Sequence, residues 1–300
     1  MTTLILEKSR KTGTGIWFLV LAGSLWGAGG LTGSLLARHT GLTSPAIAAY
    51  RLAVGGFLLV AFVLCTGRRL PRGRAQITRV VTLGLLAAQF QACYFAAVSR
   101  VSVSLATLIT IGASPVLVLA AESALGRRRA DRRALVTVAL AVVGLTLLIG
   151  VPANGLDLTT LLAGAGFALL AAGGFAVLTV IASRPVPGLD EMASTGFAFT
   201  LGAVVLIPVA AGGGGLGFAP DLRALGLLLL FGAGPTAIAW AAYFRGLRTA
   251  QAGTAALMSL LEPLVGTVLS VLILGDRLGP AGLAGAGLLL TALVLEGLRG

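Results

Sequence analysis

One carboxylate, Glu262, stands near the middle of an apolar run extending from about residue 250 to 275. A charged carboxylate at that depth in an apolar medium costs about 2.5–3.5 kcal/mol or more, so such a group faces a cavity, a partner or a proton. Three roles are open to Glu262: binding a cation, carrying a proton, or pairing with Arg51. Arg51 lies about seven residues into its own apolar run, roughly 10 Å deep at 1.5 Å per residue, within reach of Glu262.

Other polar or unusual residues occur at similar depth. Gln89 and Gln91 are about 12–14 residues into the run 77–98, and amides there need partners. Two residues apart on a helix, they project about 200° apart, so one can face a cavity while the other bonds a neighbouring helix. Pro115 and Pro263 each lie about 12–13 residues into their runs. Proline has no N–H to give, so each predicts an unpaired carbonyl four residues earlier, at Ile111 and at Ser259. These carbonyls can accept from a solute ammonium, or a hydroxyl such as that of Ser114 can patch the kink. Trp26 sits mid-run, where its N–H needs an acceptor and its face can stack on an aromatic or cationic group, with plain packing the alternative. Trp240 and Tyr243 share a helix face near the end of their run and are candidates for the cavity wall, with an interfacial aromatic belt the alternative. Tyr94 is the counterpart of Tyr243 in the repeat described below, and the two could gate opposite mouths. Glu122 and Glu296 lie close to run ends and are expected to reach water.

Enzymatic patterns are missing. The single histidine, His39, is expected in a short loop and excludes HExxH and any His-dependent triad. There is no phosphate-binding G-x-x-x-x-G-K-[ST], so ATP is not the energy source, and no cofactor is implied. The formal net charge of +12 does not point to nucleic acid, because arginines cluster between apolar runs without interleaved aromatics.

The elements that must position these residues follow from composition. Of the 300 residues, 57% are hydrophobic and 11% charged, against about a quarter charged in soluble domains. The solvent for most of the chain is therefore lipid. With 43 glycines and few aromatics, closely packed helices are favoured over a barrel. Ten runs are long enough to span: 14–37, 44–66, 77–98, 102–126, 134–151, 158–183, 194–212, 222–247, 250–275 and 279–298. The first is too long for a signal peptide and is read as a retained span. Cys65 and Cys93 fall toward opposite faces, which argues against a disulfide.

Basic residues set orientation. Lys8, Arg10, Lys11, Arg68, Arg69, Arg72, Arg74, Arg79, Arg127, Arg128, Arg129, Arg132, Arg133, Arg184, Arg245, Arg248 and Arg299 fall on one side. Only Arg38, Arg100, Arg223 and Arg277 fall on the other. Both termini are thus expected in the cytoplasm of a cell inner membrane.

The chain also resembles itself. Tyr94-Phe95, Arg100, Pro115 and Gly126 correspond to Tyr243-Phe244, Arg248, Pro263 and Gly275, displaced by 148–149 residues. The expected organisation is a tail at 1–13, a five-helix repeat at 14–151 and a second at 158–298. An odd number of spans inverts the second copy, which predicts an all-α membrane protein of two inverted repeats around a central cavity.

Leu25-Trp26-Gly27, Pro45 with Arg51, Ser114-Pro115, Ala121-Glu122, Glu262-Pro263, Leu274-Gly275-Asp276, Gly282 and Gly285 together resemble the EamA-type branch of the drug/metabolite transporter superfamily. Asp276 departs from the Glu usual in that branch but keeps the charge. The resemblance covers nearly the whole chain and implies secondary transport. It further implies export of amino acids or similar metabolites, aromatic amino acids among them. Drugs, nucleotide-linked metabolites and a non-transporting membrane role are the rivals. Convergence of Gln89, Ser114, Ser259 and Glu262 from three spans favours transport over a membrane enzyme. Partners are then a small-molecule substrate and the bilayer, with proton coupling open and oligomeric state without a signal.

Overall fold

The computed structural model describes residues 2–127, 131–150, 157–275 and 277–298, with backbone alone for residues 2–13 and for Leu274. Arg128, Arg129 and Arg299 of the charge count, Asp276 of the family pattern and the expected boundary at residue 151 lie outside the described residues. Among the described residues, ten helices are long and apolar enough to cross a membrane, and no strand is present. The first, α1, runs Thr2–Thr40, so the segment expected as a tail extends the helix. The others are α2 (Ser44–Cys65), α3 (Arg74–Val98), α4 (Val103–Ala124), α5 (Arg132–Ile149), α6 (Leu158–Ala182), α7 (Glu191–Gly212), α8 (Leu222–Gly246), α9 (Ala252–Ile273) and α10 (Pro280–Gly297).

Side-chain caps fix where five of these begin, Ser102 accepting the Leu105 N–H at 3.2 Å before α4. Asp131, Asp157, Asp190 and Asp221 directly precede α5 to α8, and each accepts the backbone N–H three residues on at 2.7–3.0 Å. That satisfies one of the donors a helix start leaves open. Pro45 and Pro280 occupy the first turns of α2 and α10, where a missing N–H is harmless. At the other end, Gly126 (φ 65°) follows α4 and Gly275 (φ 74°) follows α9. Both adopt positive φ, which a side chain resists, and both occupy the same place in the internal repeat.

The packing carries the repeat as well. The α2–α7 and α5–α10 pairs each map onto themselves when every helix is exchanged for the one five places away. The α3–α6 contact is repeated by α8–α1, and α4–α6 by α9–α1. Glycines allow the closest seams. A β-carbon on Gly144 of α5 would lie 2.7 Å from the backbone nitrogen of Leu289 on α10, and one on Gly84 of α3 would lie 2.6 Å from the Ala198 carbonyl oxygen of α7. Small residues at helix seams let backbones meet where lipid supplies no hydrophobic drive.

The two repeats are tied together on the face that carries both chain ends. Arg68 meets Asp190 at 3.0 Å, and Gln76 donates to the Pro187 carbonyl at 3.0 Å. Arg79 donates from Nη1 to the carbonyls of Ile181 and Arg184, at 2.7 and 2.9 Å. On the opposite face, His39 lies in the last turn of α1, not in a loop, and bonds Asp221 at 2.8 Å.

Candidate functional site

A cavity of about 420 Å³ lies between the two repeats. That is the size of an ordinary small-molecule site. Its rim residues, Ala37, Ser44, Val98 and Val103, stand at the helix ends opposite the chain termini. Its inner end is aromatic: Trp26 packs against Trp240 at 4.9 Å and Phe175 at 6.4 Å between ring centroids, and Phe90 closes on Phe175 at 5.9 Å.

Two irregular helices shape this wall. In α9, Pro263 has no N–H for the Ser259 carbonyl. The chain turns more tightly there, and the Glu262 N–H takes that carbonyl instead, at 3.0 Å. The expected free carbonyl at Ser259 is thus occupied, and α9 is broken into Ala252–Met258 and Leu261–Leu269. The break leaves Glu262 in the first turn of the second piece, where a helix N-terminus favours negative charge. Gly23 and Gly27 let α1 reach the break: a β-carbon on Gly27 would lie 2.8 Å from the Glu262 carbonyl oxygen.

In α8, Pro235 lies in a π-helical stretch, Gly232–Ile238. The hydroxyl of Thr236 donates to the Phe231 carbonyl at 2.9 Å, occupying the acceptor that proline leaves. The ring of Phe231 then lies 4.9 Å from the guanidinium carbon of Arg51, a cation–π arrangement.

Most hydroxyls in the cavity are committed to the protein. Ser114 donates to the Thr110 carbonyl and Ser259 to the Ala256 carbonyl, both at 2.7 Å. Tyr94 bonds Thr107 at 2.7 Å and Thr110 donates to the Ala168 carbonyl at 3.2 Å. Three lining groups differ. Arg51, Glu262 and the buried Gln91 make no hydrogen bond to another described side chain or backbone group, and no ion pair joins Arg51 to Glu262. The Arg51 Nε and the Trp26 indole nitrogen are buried without partners. The cavity therefore offers a guanidinium, a carboxyl group and an amide around an aromatic end.

Of the residues singled out in the sequence, Trp26, Arg51, Gln91, Tyr94, Ser114, Trp240, Ser259 and Glu262 line this one cavity. Gln89 does not: its amide donates to the Leu170 carbonyl of α6 at 3.0 Å, beside Gly174. Pro115 and Pro263 shape the wall from behind. Trp240 and Tyr243 form no interfacial belt. They are 7% and 1% exposed, and Tyr243 bonds Thr179 at 2.8 Å within the aromatic cluster. Depth along α8 places them near its end, but their face turns inward.

Glu122 and Glu296 also correct an expectation, being 5% and 0% exposed and not in water. Glu122 accepts the Gly253 N–H at 2.9 Å, and Glu296 accepts the Thr254 hydroxyl at 2.7 Å. Both hold the start of the short first piece of α9, whose backbone donors need acceptors. Phe90, Phe175, Phe231 and Thr110 were not foreseen as lining. Only Pro235, in an apolar run, signalled that α8 is irregular here. Among the described residues, no three His, Cys, Asp or Glu side chains gather where a metal ion could be held.

A polytopic helical protein with a solute-sized, mixed-charge cavity between its halves belongs to the class of membrane transporters. Comparison with known proteins makes this specific. The EamA-like transporter family profile matches twice, over residues 13–150 and 162–296, and the chain belongs to that family. Five spans fall in each match, so the second copy lies inverted relative to the first. The chain is 27% identical to the uncharacterized transporter YwfM of Bacillus subtilis, over 93% of this chain and 92% of that one. It is 22% identical to the uncharacterized inner membrane transporter YicL of Salmonella typhimurium, over 95% of each. One solved crystal structure shares the fold at a TM-score of 0.80, with 18% identity over 97% of this chain and 99% of the other.

Proposed function

We propose that this protein exports amino acids or similar small amphipathic metabolites by alternating access, without ATP. The observation that carries the reading is the set of uncommitted groups in one cavity, Arg51, Glu262 and Gln91, set around Trp26, Phe175 and Trp240. A zwitterion answers that set: its carboxylate to Arg51, its ammonium to Glu262, and an apolar or aromatic side chain to the rings. The excess of arginine on the face of the chain ends supports placing both termini in the cytoplasm. On that orientation the cavity faces outward and the ties at Arg68, Gln76 and Arg79 close the cytoplasmic mouth.

The test is efflux and counterflow in proteoliposomes with a panel of labelled amino acids, with and without a pH gradient. Saturable counterflow of a zwitterionic amino acid is the expected result, and its absence across the panel refutes the substrate class. Glu262→Gln separates the two active roles of that carboxylate. A cation receptor loses affinity whatever the gradient, whereas a proton carrier loses only the gradient dependence. Full transport with unchanged gradient response removes Glu262 from the mechanism.

A further inference from the structure

A second enclosure lies away from the central cavity, where α3, α6, α7 and α8 end on the face of the chain termini. It is a crevice of about 30 Å³, room for two or three water-sized groups. Arg79, Arg248 and the exposed Arg184 are among its lining residues, against one acid, Glu191. Phe244, Leu83 and Val186 supply apolar walls, which strengthen the field of the charges.

The groups are not used up by one another. Glu191 pairs with Arg248 through Nε. Arg79 spends Nη1 on the Ile181 and Arg184 carbonyls and stands in the repulsive fields of Arg248 and Arg184. The guanidinium of Arg184 bonds no described residue. Independently of charge, Ser194 is 6% exposed and lines the crevice, yet its hydroxyl has no partner among the described residues. A hydroxyl open to the crevice beside guanidinium donors suits an acceptor of negative charge.

We propose that this crevice is a phosphate-binding site, taking either the headgroup phosphate of an anionic phospholipid or free phosphate. Arg184 and the remaining donors of Arg79 grip the oxygens, and the Ser194 hydroxyl donates to one of them. Basic pockets between spans at a membrane surface recognise lipid headgroups by this chemistry. Because Arg79 belongs to the first repeat and Arg184 and Ser194 to the second, a bound phosphate joins the two repeats on this face.

The test uses the purified full-length chain in detergent, with thermal unfolding followed by tryptophan fluorescence. Phosphatidylglycerol is titrated against phosphatidylcholine, and inorganic phosphate against chloride at matched ionic strength. Stabilisation by phosphatidylglycerol alone identifies the lipid as the source, and stabilisation by inorganic phosphate identifies the free anion; either supports the site. Arg184→Ala, which keeps the carbonyl that Arg79 uses, is expected to weaken the effect at least about tenfold, and Ser194→Ala by about two- to tenfold. Arg277→Ala, on the opposite face, leaves it unchanged. No anion-dependent stabilisation, or equal stabilisation of the parent, Arg184→Ala and Ser194→Ala, overturns the proposal.

Discussion

Replacing Arg51 with Gln removes the guanidinium assigned to a substrate carboxylate while keeping a shorter, uncharged polar side chain. The size of the effect follows from what Arg51 does in the structure. It makes no direct ion pair with Glu262, though it lies in the field of that carboxyl, its Nε has no partner among the described residues, and its guanidinium stands over the Phe231 ring. Little intramolecular bonding is lost on substitution, so the loss should fall on binding. A charge-assisted hydrogen bond contributes about 1.5–3 kcal/mol net, although bare attraction at 4 Å is about 4 kcal/mol at an effective dielectric constant near 20. Affinity for an amino acid should drop roughly 10- to 150-fold. The matching change in the ligand is its carboxamide, which lacks the negative charge. The parent should discriminate the acid from the amide by that factor, and Arg51→Gln should bind both alike. Inhibition constants from counterflow in proteoliposomes measure all four combinations. If Arg51→Gln loses the acid and the amide equally, Arg51 shapes the cavity and does not read the carboxylate, and the zwitterion argument fails.

The two glutamines should separate cleanly. Gln89→Leu removes the interhelical donor to the Leu170 carbonyl and should lower stability by about 0.6–1.7 kcal/mol with unchanged substrate affinity, whereas Gln91→Leu should lower affinity in counterflow with unchanged thermal unfolding. Gly144→Ala forces a β-carbon to 2.7 Å from the Leu289 nitrogen and should destabilise by about 1–3 kcal/mol. Gly226→Ala in α8 meets nothing within 4 Å and should be neutral or stabilising by up to about 1 kcal/mol, both read by thermal unfolding in detergent. On the face opposite the chain ends, the Ala224 N–H and then His39 hold the Asp221 carboxyl below its ordinary value. A depressed value means the cap is fully present above the unfolded value near 3.9 and is lost as pH falls through the folded one. Hydrogen exchange at Ala224 should thus stay slow, relative to its intrinsic rate, down to about pH 4, and Asp221→Asn should remove the pH dependence while keeping the cap.

Much of the architecture was legible in hydropathy, because lipid leaves a chain few choices besides apolar helices. The repeat showed in Tyr94/Tyr243, Pro115/Pro263 and Gly126/Gly275, residue types that apolar drift does not produce freely. Arg51, Gln91 and Glu262 stood out for the same reason: a polar group in an apolar run has few tolerable places. Other features were hidden. Phe175 and Phe231 line the cavity, but an aromatic ring facing a cavity and one facing lipid look alike in an apolar run. Counting residues along one helix gives depth and not direction, which left Trp240 and Tyr243 open between an interfacial belt and the cavity. The same count sent Glu122 and Glu296 to water, because it treats a helix end as wet, whereas the interrupted α9 begins against both.

The ties between the halves at Gln76 and Arg79 end on main-chain oxygens of residues 181, 184 and 187, which every amino acid carries. Substitution at those three positions therefore leaves the acceptors in place, while a single change at Gln76 or Arg79 removes a donor outright. Mutational tolerance across this seam should be lopsided: strict on the helix α3 whose arginine and glutamine give, permissive on the end of α6 and the loop after it that receive. Pairwise covariation between related chains will then be silent about one of the contacts that shuts the molecule on this side.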